Sequence, residues 1–308
     1  MLSRRKFLAT AAAGAALATQ GAAPSAAQAD RRRITDAQIH LWKAESDDWK
    51  WVPGLTPQLP EPFTIERAVS MMDEAGVDRA VIVPPSWPGD RNDYALEAVK
   101  RYPTRFRVMG KLALNDPKGA ALLPKWKEQP GMVGVRVIFN TPQTASWLTD
   151  GTVDWFWAAT EKAELPVMCF APGRTAAFGK VAERFPGLQL ILDHMGVSAQ
   201  LVRENKILEG IADTVALAKY PNISAKVSAS PGLSVQPYPF RDVTDHVKRV
   251  FDAFGPQRSY WGTDLTNSYS KASYRQRITH FTEELSFLSE SDKDMVMGRA
   301  INARLKWA

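Results

Sequence analysis

Met132-Val133-Gly134-Val135-Arg136-Val137-Ile138-Phe139 is apolar at almost every position, with one arginine set among valines. Successive side chains of an extended strand point to opposite faces. A run that is apolar on both faces therefore predicts a strand buried on both sides, as in a parallel sheet. The arginine inside it needs an anionic partner, either a substrate carboxylate or an internal Asp or Glu.

Similar runs recur at residues 33–42, 78–84, 106–114, 166–170, 188–194, 222–229 and 259–264. Between them, apolar residues repeat at helical spacing over 65–75, 90–102, 153–163, 175–185, 207–220 and 243–254, and again over 281–288 and 295–305. Several of these helices stop at Gly76, Tyr102-Pro103, Phe185-Pro186-Gly187 or Tyr220-Pro221. Proline lacks the amide hydrogen and clashes with the preceding turn, so it cannot continue a helix. Eight strands alternating with helices predict an α/β fold with an all-parallel sheet. The chain length fits a single-domain (β/α)8 TIM barrel. An open doubly wound sheet is the weaker alternative, because no Gly-x-Gly-x-x-Gly follows the first strand.

The amino terminus reads differently. Ser3-Arg4-Arg5-Lys6-Phe7-Leu8 is a twin-arginine sequence, followed by an Ala-rich apolar stretch and the small-x-small site Ala27-Gln28-Ala29. Residues 1–29 are expected to be a twin-arginine signal peptide and 30–308 the barrel, exported to the periplasm. The apolar stretch is too short and weak for a stable membrane anchor. Removing 1–29 would take the net charge from +6 to +3, and the basic block that remains is Arg31-Arg32-Arg33. Nucleic-acid binding is not expected. Cys169 is the single cysteine, so no internal disulfide can form. The expected partner is a small molecule, and a homo-oligomer is compatible with the sequence.

Chemistry in such a barrel sits at the carboxyl ends of the strands. Polar residues there are few: Gln38 and His40 on the first strand, Arg136 on the fourth, Asp193 and His194 on the sixth, Lys226 and Ser228 on the seventh, Asp264 on the eighth. Two of the four histidines fall at these ends. Gln38 and His40, two apart, are expected to share one space. Asp193 precedes His194 and is expected to face away from it, in a structural role. Trp42 and Trp87 fall at or just after strand ends, where they could wall an aromatic or apolar substrate. Arg136 and Lys226 are candidates for an anionic substrate group.

The ordered set 36–42, 134–137, 192–196, 226–228 and 261–264 resembles the amidohydrolase-related family (amidohydrolase family 2) of TIM-barrel hydrolases. It is similar in particular to the group containing 2-pyrone-4,6-dicarboxylate lactonase. The resemblance implies a hydrolase acting on a small-molecule ester, lactone or amide, a lactone first. It assigns Asp264 as the general base on water, and His194 and His40 as metal ligands or donors to the scissile carbonyl. Gln38 stands in place of the first histidine of the family's opening motif, and Phe170 in place of the strand-five histidine. Phe cannot bind a metal, and Gln is a poor zinc ligand. A binuclear site is therefore not expected. Chemistry without a cofactor, with Gln38 donating through its amide, is favoured over one Zn2+ or similar divalent ion held by His40, His194 and Asp264. A decarboxylase or hydratase on the same barrel, or a non-catalytic ligand-binding relative, are the rival readings. No Gly-x-Ser-x-Gly elbow supports serine-hydrolase chemistry.

Overall fold

Each apolar run forms a strand, trimmed at its ends: β1 Thr35–Ile39, β2 Arg79–Ile82, β3 Phe106–Gly110, β4 Met132–Ile138, β5 Val167–Phe170, β6 Leu190–Leu192, β7 Ile223–Lys226 and β8 Ser259–Tyr260. The computed structural model describes residues 31–308, so the expected signal peptide lies outside the described residues. The eight strands form one sheet in chain order, every neighbouring pair parallel. Two backbone hydrogen bonds bring β8 round to β1: Ala37 N–H donates to Trp261 O at 3.1 Å, and Asp264 N–H donates to Gln38 O at 3.1 Å. The result is a (β/α)8 barrel. Gly262 sits at this seam, where a Cβ would lie 3.2 Å from the Gln38 nitrogen.

The helices follow from their apolar spacing. α1, Ile65–Ala75, buries Ile65, Ala68, Met72 and Ala75 on one face. The Thr64 hydroxyl caps its first turn by accepting from Arg67 N–H, and Gly76 ends it in the left-handed conformation at φ 80°. α2 (Asp93–Arg101), α3 (Asp154–Lys162), α4 (Thr175–Arg184), α5 (Ile207–Ala216) and α6 (Thr244–Phe254) follow the predicted stretches.

Several connections differ. Two 3-10 segments, Pro117–Ala121 and Leu123–Glu128, join β3 to β4 where no helix was expected. Each begins with a proline in its first turn, which tolerates the missing amide hydrogen. The helix expected over 281–288 is a wide π turn, His280–Glu284, that ends at Leu285. The one expected over 295–305 opens as a π turn and turns α-helical only at Ala300–Arg304, because Gly298 is extended at φ 171°.

The main apolar core joins helix and strand residues. A smaller cluster of Ala37, Val81, Met109, Met168, Ile191 and Tyr260 packs with Ile301, Leu305 and Trp307 of the C-terminal segment. The polar strand-end residues are therefore held by rigid, buried backbone. No helix of the described residues is long and apolar enough to cross a membrane.

Candidate active site

Asp36, fully buried, ties the two ends of the barrel seam together. Its carboxylate accepts from Gln38 N–H at 3.0 Å, Thr263 N–H at 2.8 Å, Thr263 Oγ1 at 2.5 Å and Tyr274 OH at 2.7 Å. Gln38 on β1 and Asp264 after β8 are thereby set against each other. Arg277, almost fully buried, braces the following loop by donating to Thr263 O at 3.2 Å and Ser268 O at 2.6 Å.

Three strands leave the barrel through left-handed residues that are not glycine: His194 at φ 52°, Ala229 at φ 62° and Asp264 at φ 46°. Such residues cost of order 1 kcal/mol or more and collect at functional sites. At His194 the effect is geometric. The left-handed turn breaks the two-residue alternation, so Asp193 does not face away as expected. Its Oδ1 pairs with Lys226 Nζ at 2.7 Å, and its Oδ2 accepts from Arg136 Nε at 3.2 Å.

Four polar groups meet at the carboxyl end. Gln38 Nε2 lies 3.4 Å from His40 Nε2, 3.3 Å from His194 Nε2 and 3.4 Å from Asp264 Oδ1. His40 Nε2 is 3.0 Å from Asp264 Oδ1, and His194 Nε2 is 3.6 Å from Asp264 Oδ2. Asn267 Nδ2 donates to Asp264 Oδ2 at 2.6 Å.

The proton on His40 can be assigned. Nδ1 is 2.7 Å from the Val83 carbonyl, which only accepts, so Nδ1 carries the hydrogen and Nε2 faces Asp264. His194 Nδ1 is 2.8 Å from Ser228 Oγ. A serine hydroxyl donates or accepts, so two tautomers are open: Nε2 accepts from the Gln38 amide at 3.3 Å, or it carries the hydrogen and presents it to the site. Burial pushes the His194 imidazole down towards its neutral form, against the pull of Asp264 and Asp193. Burial alone would raise the Asp264 carboxyl. The neighbouring imidazoles of His194 and His40 and the Asn267 amide hold it well below the ordinary carboxylate range instead. Asp264 is thus ionised throughout the physiological range.

Lys226 departs from its expected role. It is fully buried, and its ammonium is spent on Asp193 and on Gln38 Oε1, at 2.5 Å. It is an internal cation, not a substrate contact. Trp42 is also corrected: it is fully buried, edge-on to Trp87 with ring centroids 4.9 Å apart, so it backs Trp87 instead of lining the cavity. Trp87 does line it. The loop at 238–241 packs on His280 through Phe240, away from the cavity.

The cavity above these groups has a volume of about 150 Å³. Gln38, His40, His194, Arg136, Phe170 and Trp87 form its walls, with Ser86, Gln58, Asn140 and Asn267 from the loops. A wider basin of about 550 Å³ shares Asn140, Phe170 and Asn267 with it. Phe170 stands edge-on to His194 at 5.5 Å and beneath the Arg136 guanidinium at 5.9 Å. Arg136 uses Nε on Asp193, which leaves its two terminal nitrogens at the cavity wall. Sequence reasoning missed the loop residues Gln58, Asn140 and Asn267, which carry no strand-end signal. Asp36 lay in the opening motif, but no role was read for it.

The Amidohydrolase family profile matches residues 9–303. The chain belongs to the amidohydrolase family. This amidohydrolase is a hydrolase by that membership. It is 24% identical over 233 residues to an L-fucono-1,5-lactonase from Burkholderia ambifaria, covering 74% of this chain and 79% of that one. It is 28% identical over 220 residues to a 4-sulfomuconolactone hydrolase from Hydrogenophaga intermedia, covering 68% and 67%. Among solved structures, an amidohydrolase from Burkholderia multivorans with bound zinc superposes with a TM-score of 0.75 at 18% identity, covering 89% of this chain and 99% of that one. A manganese-containing 5-carboxyvanillate decarboxylase from Novosphingobium aromaticivorans superposes at 0.61, with 16% identity, over 89% and 96%. These structural likenesses carry the fold, and they show that solved proteins of this fold hold zinc or manganese.

Proposed function

We propose that this amidohydrolase opens a small lactone that carries an anionic group, by attack of water and without a resident metal. The observation that carries the reading is the convergence of Gln38 Nε2, His40 Nε2, His194 Nε2 and the Asp264 carboxylate at one point beside Arg136. With the hydrogen on Nε2, His194 and the Gln38 amide are donors for the carbonyl oxygen as it gains negative charge. Asp264 holds the water on the opposite side. An isolated carboxylate with so low an affinity for protons would be a weak base. His40 Nε2, 3.0 Å away, shares the proton taken from water, so the base is the Asp264–His40 pair, which returns that proton to the ring oxygen as the acyl C–O bond breaks. The terminal nitrogens of Arg136 suit a carboxylate or sulfonate, bound two-pronged. The two lactone-acting relatives support the substrate class.

The metal-free part rests on donor chemistry. The Gln38 carboxamide nitrogen, which is not a ligand, stands 3.3–3.4 Å from the two imidazole nitrogens and from Asp264 Oδ1. Edges of that length are those of a tetrahedron whose corners lie about 2 Å from one zinc ion, so the spacing admits a metal; what speaks against it is that the Gln38 corner is an amide N–H with no lone pair to give. The metal-free reading therefore rests on the Gln38 amide, and metal content decides between it and one ion held by His40, His194 and Asp264. The test is hydrolysis of a panel of five- and six-membered lactones with and without carboxylate or sulfonate groups, followed by proton release, on protein of known metal content. Turnover of an anionic lactone with far less than one metal per chain, unchanged by chelator, is expected. Loss of turnover on chelation, restored by Zn2+ or Mn2+, overturns the metal-free reading.

Export by the twin-arginine route remains our proposal for residues 1–29, supported by Arg4-Arg5 and the Ala-x-Ala site. Changing both arginines to lysine is expected to retain the precursor in the cytoplasm, and normal export of that variant would refute it.

A further inference from the structure

We infer that Lys226 is a positioning residue for hydrolysis: it locks the Gln38 carboxamide so that an amide N–H, not the amide oxygen, faces the point where His40, His194 and Asp264 converge. The inference rests on the hydrolytic reading above and adds a residue to it. An ammonium has hydrogens and no lone pair, so the group 2.5 Å from Lys226 Nζ must be the Gln38 oxygen. Turning the amide over would set its NH2 against the ammonium and its oxygen against the Asp264 carboxylate. Both contacts are repulsive, so the orientation is fixed from two sides. Lys226 is itself fully buried and anchored by Asp193 at 2.7 Å, and Asp193 is anchored by Arg136 Nε at 3.2 Å. A continuous buried chain, Arg136–Asp193–Lys226–Gln38, thus runs from the cavity wall to the reacting point. A donor fixed in this way is already oriented when charge develops on the substrate oxygen. Lys226 does not touch substrate. It acts by denying Gln38 its second orientation, and the amide takes the place of a positive pole at the centre of the site.

Three variants test this: Gln38→Met, Lys226→Met and the two together. Removing one donor to a developing oxyanion typically lowers kcat about a hundredfold to a thousandfold. Loosening that donor should cost less, so Lys226→Met is expected to lower kcat roughly 10- to 100-fold with KM changed less than about threefold. The double variant should then be no slower than Gln38→Met alone, because Lys226 has nothing left to position. Lys226→Gln, a neutral donor of shorter reach, should recover part of the loss. Additive losses, or a kcat for Lys226→Met within twofold of the parent, overturn the inference. Should Lys226→Met fail to fold, because Asp193 is left with Arg136 alone, the same cycle is run on Asp193→Asn.

A second readout needs no activity. In protein labelled with 15N-glutamine, the side-chain NH2 signal absent from Gln38→Met identifies Gln38. It should exchange slowly with solvent in the parent and lose that protection in Lys226→Met; unchanged protection overturns the inference. If no lactone on the panel is turned over, the substrate reading fails, and the exchange measurement still decides the role of Lys226.

Discussion

Replacing Asp264 with asparagine removes one charge and almost no volume, which makes it the sharpest probe of the proposed base. The carboxylate is buried with His40 Nε2 at 3.0 Å, His194 Nε2 at 3.6 Å, Gln38 Nε2 at 3.4 Å and Asn267 Nδ2 at 2.6 Å. Because Nδ1 of His40 is committed to the Val83 carbonyl, a neutral His40 presents a bare Nε2 to position 264. The asparagine amide can donate to that nitrogen while its oxygen accepts from Asn267, and the Gln38 N–H loses its acceptor at that position. Charge-assisted hydrogen bonds become neutral ones, a loss on the order of 1 kcal/mol each. Stability should therefore fall by only about 1–2 kcal/mol. Catalysis should fall much further. A positioned general base contributes about a hundredfold to ten-thousandfold in rate, or roughly 3–5 kcal/mol of barrier. The assay is kcat on the best lactone of the panel, with thermal unfolding of the same preparation as control. A folded variant that retains more than a tenth of the parent kcat would remove Asp264 from the proton transfer.

Arg136→Lys keeps the charge but cannot serve Asp193 through Nε and a substrate anion with two further nitrogens at once. KM for anionic lactones should rise about tenfold or more while neutral lactones are little affected, and equal effects on both would argue against an anion site. His280 is almost fully buried, donates from Nδ1 to Pro239 O at 3.0 Å, and has its pKa pushed down by burial to about 4. A depressed histidine pKa means the unfolded chain binds the extra proton first. The stability is therefore whole above about pH 6.5 and is lost as pH falls towards 4, by up to about 3 kcal/mol. Denaturant unfolding at pH 7.5 and 4.5 should show this slope, and His280→Phe should flatten it. Asp36→Ala strands four donors at the β1–β8 seam, and a loss of roughly 3 kcal/mol or more is expected by denaturant unfolding.

The barrel was legible because burial on both faces leaves a plain mark: strands such as 132–138 and 190–192 admit almost nothing but apolar side chains. The strands came out shorter than the runs because pairing stops where a strand end turns to present its polar residue, as at His194 and Asp264. The convergence of Gln38, His40, His194 and Asp264 was legible for the same reason, since each is a polar residue at the end of an apolar run. What was not legible is backbone conformation. Nothing in Leu192-Asp193-His194-Met195 announces two successive left-handed residues, and the alternation rule therefore sent Asp193 the wrong way. Lys226, like Arg136, was open to either a substrate anion or an internal carboxylate; with Asp193 turned inward, both cations have that carboxylate.

The charges at the site can now be followed from sequence to mechanism. Asp193 and Asp264 are both buried carboxylates, yet they are not interchangeable. Asp193 is held by Lys226 and Arg136 and kept ionised by them, against its burial. Its two oxygens are committed, which leaves it no part in proton transfer. Asp264 faces imidazoles and amides, partners that can give or share a proton. On the proposed mechanism the same residue type serves as ballast on one strand and as reactant on another, and the difference lies in what each neighbour can do with a hydrogen. Lys226 links the two. By discharging on Asp193 it can sit unhydrated beneath Gln38, and it holds the Gln38 oxygen, which leaves the amide N–H towards His40, His194 and Asp264. A Gln in the opening motif is then consistent with an intact site, provided that a lysine lies directly below it.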